Sequence, residues 1–158
     1  PKVKEKTMAN KKWWMGIPVL TLVFGMTLVG CSSTPDSKAP SSFRSGSGGD
    51  TTILLRQGLD FDQAFREVAF VLNRHGFDTE MIQPEVGYIR TRWITTWNDA
   101  GVASDWYRVR ITCNFNPSRT QLIINAEAEY LDDDTWRKGY DTRAIETLRN
   151  DLNMTVGN

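Results

Sequence analysis

Few side chains in this sequence are suited to nucleophilic or acid–base chemistry. Its 158 residues include one histidine, His75, and two cysteines, Cys31 and Cys113. His75 precedes Gly76 at the predicted end of a helix, where histidine commonly complements the helix dipole. Cys113 has the phase of an inward-facing strand residue, whereas a catalytic thiol needs an exposed, electropositive setting. Neither residue therefore predicts an enzyme.

Acidic side chains offer two further kinds of site. The three consecutive aspartates at 132–134 do not match the alternating spacing of a calcium loop, so we expect a solvated loop there. Glu127 and Glu129 could act as paired carboxylates in glycan hydrolysis, but a surface strand explains them without catalysis. No zinc-type Cys/His spacing and no phosphate-binding glycine loop occurs. We predict a non-catalytic protein without metal or cofactor.

Cys31 follows an apolar leader. Lys11 and Lys12 precede residues 13–29, which are almost wholly apolar and uncharged, the order of a secretory signal peptide. At about 17 residues this run lies near the lower limit for a membrane span, roughly 20. A cleaved signal over residues 8–30 therefore fits better than an uncleaved transmembrane helix. Residues 1–7, before the predicted initiator methionine, are interpreted as an upstream extension.

The residues Leu-Val-Gly-Cys at 28–31 resemble the lipobox of bacterial lipoproteins. The resemblance implies cleavage between Gly30 and Cys31, diacylglycerol on the Cys31 sulfur and, usually, a fatty acid such as palmitate on its new amino group. Each buried methylene contributes about 0.8 kcal/mol, so two or three chains anchor a protein to the membrane essentially permanently. Serines at 32 and 33 resemble the pattern of Gram-negative lipoproteins exported to the outer membrane.

Residues 32–50 are dominated by Ser, Pro, Gly, Thr and Lys, and Phe43 is their only large apolar residue. Such a composition buries too little surface to fold alone. We therefore predict a lipidated cysteine and disordered tether over residues 31–50, either a plain spacer or a segment that orders along a partner protein. Residues 51–158 suffice for a single compact domain.

The charge of the mature chain limits its partners. Residues 31–158 carry 14 Lys and Arg against 18 Asp and Glu, a net charge of −4. A nucleic acid held by phosphate neutralisation is therefore not an expected partner. With Cys31 consumed by lipid, Cys113 has no partner for a disulfide within the chain.

Two helices are predicted within this domain. Asp60 is a good N-cap, Gln63 lies three residues later, and apolar residues follow at helical spacing until Gly76. Asp141 can cap the second helix, in which one face carries Ala144, Ile145, Leu148 and Leu152.

Alternating patterns predict the strands, which lie at 52–55, 78–82, 88–97, 106–115 and 122–130. In the 88–97 run, Trp93 has the inward phase. In the 106–115 run, Cys113 faces inward and Arg108 faces outward. A loop at 116–119 would pair Phe115 with Thr120, which places Arg108 opposite Glu127.

This order of elements predicts an α+β domain in which two helices pack on one face of a mainly antiparallel sheet of four to five strands. With the lipobox and tether, the domain resembles the helix-grip domains of BamC-type lipoproteins of the β-barrel assembly machinery. The resemblance rests on Asp-Phe-Asp-Gln-Ala-Phe at 60–65, Gly-Phe at 76–77 and Gly-Tyr-Ile at 87–89. BamC-type proteins carry two such domains, and this chain has room for one.

Aromatic and basic side chains indicate a contact surface. Trp97 and Trp106 flank the polar loop at 98–105, and Trp106 shares the outward phase of Arg108, a mixture enriched at protein interfaces. The alternative is that these tryptophans merely cap the end of the sheet. The candidate partner contacts are Trp97, Trp106, Arg90, Arg92, Arg108 and Arg110.

The sequence thus predicts a lipid-anchored envelope protein, in the outer membrane and facing the periplasm. We expect it to act as a scaffold or accessory subunit of an outer-membrane protein assembly complex. One alternative is a module whose helices and curved sheet enclose a small apolar ligand or lipid. Another is a glycan hydrolase that uses Glu127.

Overall fold

A computed structural model describes residues 39–97 and 104–158. Predictions about the signal peptide, Gly30, Cys31 and the first part of the tether lie outside the described residues. Within them the fold is α+β, with two helices and one antiparallel sheet of seven strands. The elements are β1 (Phe43–Ser45), β2 (Asp50–Leu54), α1 (Phe61–Arg74), β3 (Thr79–Gln83), β4 (Tyr88–Thr91), β5 (Tyr107–Phe115), β6 (Gln121–Asp132), β7 (Thr135–Asp141) and α2 (Thr142–Val156).

Both helices begin at the predicted aspartates. The Asp60 carboxylate accepts a hydrogen bond from the Gln63 backbone N–H at 3.0 Å. The Asp141 carboxylate accepts one from the Ala144 N–H at 2.7 Å. Each bond satisfies one of the N–H groups that a helix start leaves unpaired, so both predicted caps are confirmed. Within the described residues, neither helix is long and apolar enough to cross a bilayer.

The sheet is centred on β5 and β6. The strand order is β1-β7-β6-β5-β4-β3, and β2 pairs with the first part of β6 before β7 takes over that edge. Inward residues of β5, including Cys113, are fully buried as predicted. They belong to the same hydrophobic cluster as the apolar faces of both helices. One core therefore connects the sheet and the helices.

The prediction of four to five strands is wrong because β1 and β7 were missed. Asp133 and Asp134 both have positive φ, and Asp132 pairs with Thr135, so the aspartate run forms a two-residue hairpin turn. Gly139 lies within β7. A Cβ there would lie 2.1 Å from the Arg44 carbonyl oxygen, so the absence of a side chain lets β1 pair closely.

The prediction of a disordered tether is wrong at its C-terminal end, and the domain begins before residue 51. Phe43 is only 6% exposed, and its ring packs edge-on against Tyr130, with ring centroids 4.8 Å apart. Phe43 also pairs with Asp141 in the sheet. A single aromatic side chain and an existing sheet edge therefore order a segment whose own composition cannot fold.

The predicted β5–β6 register is wrong by two residues. Phe115 pairs with Leu122, and Arg108 pairs with Glu129. The loop is displaced because the side-chain oxygen of Asn116 accepts hydrogen bonds from the N–H groups of Thr120 and Gln121, at 2.8 and 3.0 Å. A shift of two leaves every side chain on its predicted face.

The predicted strand at 88–97 is interrupted after Thr91. Arg90 pairs with Thr112, but Ile94 bridges to Val109. The stretch from Arg90 to Ile94 therefore contains one residue more than the stretch of β5 that it faces. At this bulge the Thr91 hydroxyl accepts a hydrogen bond from the Ile111 N–H at 2.9 Å. An extra residue reverses the inward and outward phase, which corrects the prediction that Trp93 faces the core.

Candidate functional site

The outer face of β5 and β6 carries rows of opposite charges. Arg108 donates from Nε and Nη2 to one oxygen of Glu129, at 2.8 and 2.6 Å. Arg110 donates from Nη2 to Glu127. The register places both pairs directly across from each other on neighbouring strands. Both guanidinium planes are therefore held in position by the sheet.

Two tryptophans stack on these guanidinium groups. The Arg108 guanidinium carbon lies 4.8 Å from the centroid of the Trp93 ring and 4.1 Å from that of Trp136. The Arg110 carbon lies 4.5 Å from the Trp93 centroid. Cation–π contacts at such distances contribute about 0.5–1 kcal/mol each at exposed sites. We call Trp93, Arg108, Arg110 and Trp136 the arginine–tryptophan cluster.

Sequence reasoning found only half of this cluster. Arg108 and Arg110 were among the candidates. Trp93 reaches the outer face through the bulge after Thr91, and Trp136 reaches it on β7, neither of which was predicted. The sequence offered one signal for Trp136. Consecutive aspartates such as Asp133 and Asp134 tolerate the left-handed backbone of a two-residue hairpin turn, which predicts that a further strand containing Trp136 follows.

The other candidate contacts are spread more widely. Arg90 lies one row from Arg110 and pairs with Glu80 at 3.1 Å. Arg92 is exposed, and Trp106 is 40% exposed. Trp97 is different because it packs against the core. The structure therefore does not place Trp97 in the arginine–tryptophan cluster.

Trp97 instead belongs to a buried polar network around Asp141, which has no exposed surface. One carboxylate oxygen accepts from Trp97 Nε1 at 3.2 Å and from the Ala144 N–H, and the other accepts from Ser42 Oγ at 2.7 Å and from the Tyr107 hydroxyl. Burial, followed by the neighbouring Asp141 charge, raises the pKa of Tyr107 above its ordinary value. The phenol therefore stays a hydrogen-bond donor.

The residues considered for catalysis make hydrogen bonds or packing contacts that hold the fold together. His75 Nε2 lies 2.6 Å from Asp151, which also accepts from Arg74 at 2.8 Å. The hydrogen bonds from His75 and then Arg74 lower the pKa of Asp151. Burial raises the pKa of Cys113 to about 12. In the described part of the chain, no three His, Cys, Asp or Glu side chains are grouped to hold a metal ion.

A cavity of about 460 Å³ opens on the outer face beside the arginine–tryptophan cluster. Its floor is formed by residues of the central strands, and one wall is the glycine-rich segment at 46–49 that joins β1 to β2. We call it the glycine-loop cavity. The sequence does not predict this cavity, because the Ser- and Gly-rich composition of its wall is typical of a disordered tether.

Comparison with known proteins adds no family assignment: no protein-family model matches the sequence, and no curated protein matches it significantly. The function must therefore be inferred from the side chains of this chain.

Proposed function

We propose that the protein is a non-catalytic lipoprotein that acts as a scaffold or accessory subunit of an outer-membrane protein assembly complex. The Cys31 lipid would hold it in the outer membrane, with the domain facing the periplasm. The observation that supports a scaffold is the arginine–tryptophan cluster on the outer face of the sheet. We also infer that both helices pack on the opposite face, as in the helix-grip domains of BamC-type lipoproteins.

The cluster has the residue types that are common in protein interfaces, and its side chains are already held in place. Tryptophan and arginine dominate interface hot spots. Here each ring is already stacked on a guanidinium group, and Arg108 is fixed by Glu129. Binding would therefore immobilise few additional side-chain torsions, which reduces the entropic cost of association. Trp106, which shares the outward phase of Arg108, and Arg92 are also exposed.

The alternative, an apolar ligand between the helices and the sheet, lacks a supporting observation. The space between the helices and the sheet is filled by fully buried apolar side chains of one cluster. These include Leu72 of α1, Leu148 of α2, Ile111 of β5 and Phe77. Protein interiors packed in this way leave little space for a ligand. We therefore favour the outer face as the functional surface.

In-cell cross-linking of the full chain, followed by co-purification, tests this proposal. We expect the Trp106→Ala variant to lose a reproducible protein partner, with recovery reduced about tenfold, equivalent to about 1.4 kcal/mol. Phe70→Ala is the matched control, because Phe70 is also an exposed aromatic residue, at 61%, but lies on α1. Absence of any partner, or equal losses in the two variants, would contradict the scaffold.

A further inference from the structure

The glycine-loop cavity has the volume of a small-molecule site. Its volume of about 460 Å³ lies within the typical range of about 300–1,000 Å³. From its lining we infer that it binds a neutral saccharide, such as a segment of cell-wall glycan. Charge, hydrogen-bonding capacity and aromatic surface support this inference.

The charges that line the cavity balance. Arg90 and Arg110 are accompanied by Asp50 and Glu127. Arg110 already donates to Glu127, and Arg90 donates to Glu80 at 3.1 Å. An anionic ligand would have to compete with these carboxylates for the same donors. The balance therefore favours an uncharged ligand.

The floor offers donors and acceptors side by side. Arg90, Thr112, Asn125 and Asp50 form one continuous row across four strands, because each is the register partner of the next. Hydroxyl and amide groups both donate and accept hydrogen bonds, whereas carboxylates accept and guanidinium groups donate. No aliphatic side chain is among the lining residues. Such a row suits the adjacent hydroxyl groups of a sugar better than an apolar ligand.

Two tyrosines add flat surfaces to this polar floor. Tyr88 and Tyr140 both line the cavity and are half-buried. The face of a phenol ring combines apolar area with a polar tip, which suits the C–H groups and hydroxyl groups of a pyranose. The glycine-rich wall lies close to one of these rings. A Cβ on Gly49 would lie 2.2 Å from Tyr140 Cβ, so a larger residue would displace the wall.

The test is calorimetric titration of chitotetraose, a soluble tetramer of N-acetylglucosamine, into the full chain in detergent micelles. We expect saturable binding at millimolar ligand or below. Asn125→Leu should weaken it about tenfold or more, because an apolar side chain replaces an amide in the floor. Asn114→Leu is the matched control, since Asn114 lies on the neighbouring strand β5 and does not line the cavity.

Thermal unfolding of each variant shows whether its fold is retained. If Asn125→Leu unfolds, Thr112→Val replaces one hydroxyl in the same row with a methyl group of similar size, and it should weaken binding severalfold. Absence of chitotetraose binding by the wild-type chain, or equal weakening in the Asn125 and Asn114 variants, overturns the inference. Only the choice of cell-wall glycan rests on the proposed envelope location. Saccharide binding and partner cross-linking can therefore fail independently.

Discussion

The Asp141 carboxylate joins three parts of the domain through one pair of oxygens. Ser42 precedes β1, Tyr107 begins β5, and Trp97 follows the bulge, and all three donate to it. A buried charge is costly unless its lone pairs are hydrogen-bonded. Each oxygen here accepts two bonds, including the helix-capping bond from Ala144. The same residue therefore starts α2 and holds the N-terminal segment on the sheet.

Asp141→Ala is expected to destabilise the domain by about 3 kcal/mol or more, because it removes a cap and leaves several buried donors unpaired. Asp60→Ala is the matched control. Asp60 caps α1 in the same way but is exposed, so its loss should cost about 1 kcal/mol. Urea denaturation measures both free energies of unfolding. Similar losses in the two variants would contradict a special role for the buried network.

Cys113 is expected to be unreactive in the folded protein. Its side chain is fully buried, and its pKa is raised to about 12, so almost no thiolate forms at neutral pH. In a Cys31→Ala background, a thiol reagent such as Ellman's reagent should label Cys113 only after unfolding in guanidinium. Labelling of the native protein at the rate of a free thiol would show that the inward face of β5 is wrongly assigned.

The hydrogen bond between His75 and the Asp151 carboxylate is expected to stabilise the domain above the ordinary pKa of that carboxyl and to weaken in acid. Asp151 has a pKa below its ordinary value of 3.8. Its contribution is therefore complete above that ordinary value and is lost as the pH falls through the lower native value. His75→Ala should raise the pKa of Asp151, measured by carboxyl NMR titration, and flatten the acid dependence of thermal stability.

Arg74→Ala is the comparison, because the hydrogen bond from Arg74 is the second cause of the shift and that from His75 is the first. A smaller rise in the Asp151 pKa is therefore expected. A larger rise in Arg74→Ala than in His75→Ala would reverse this order of causes.

Among the helices and strands, the features that depend on neighbouring residues were predictable from the sequence. The caps at Asp60 and Asp141 and the inward and outward faces of β5 and β6 follow from local spacing, and all are present. Of the two missed strands, β7 follows a local turn at Asp133 and Asp134, whereas β1 depends on distant contacts. β1 exists because Phe43 packs on Tyr130, far along the chain. No local signal in a Ser- and Gly-rich segment reports that contact.

The outer surface was predictable only in part, for the same reason. Arg108 and Arg110 follow from strand phase, whereas Trp93 needs the extra residue accommodated after Thr91. Since alternation alone assumes a continuous strand, a bulge places every later side chain on the wrong face. The glycine-loop cavity needs β1, β2 and the central strands together.

The turn between β6 and β7 offers a test of the left-handed backbone at its two central residues. Asp134 has a φ of +62°, a left-handed conformation that glycine adopts without steric cost. Asp134→Gly should therefore stabilise the domain by about 0.5–1 kcal/mol. Gly87→Ala should have the opposite effect, because Gly87 has a φ of +71° and a Cβ there would lie 2.8 Å from Phe115 Cβ. Thermal unfolding of both variants checks the signs.

A stabilising effect of both substitutions, or of neither, would mean that these turns do not have the left-handed backbone described. The two positions serve as controls for each other. At one, glycine relieves strain, and at the other its replacement creates strain.

The folded domain begins earlier in the chain than expected, which leaves less of the predicted tether as a spacer. Ala39 already packs against the core, and Pro40 accepts a backbone hydrogen bond from Phe43. In sequence, residues 32–38 separate Cys31 from Ala39, the first described residue that packs against the core. The proposed lipid attachment site is therefore close in sequence to the first strand of the domain that carries the proposed contact face.

The proposed lipid anchor is tested by replacing each cysteine in turn. In cells fed a labelled fatty acid, the wild-type chain should incorporate label, whereas Cys31→Ser should incorporate none and accumulate as a longer, uncleaved precursor. Cys113→Ala is the control, because its sulfur is buried in the core and should be irrelevant to lipid attachment. The proposed acyl chains would supply the membrane affinity, at about 0.8 kcal/mol for each buried methylene. A Cys31→Ser chain that is cut normally and stays with salt-washed membranes would therefore need another anchor, and the proposed scaffold would lose its tie to the outer membrane.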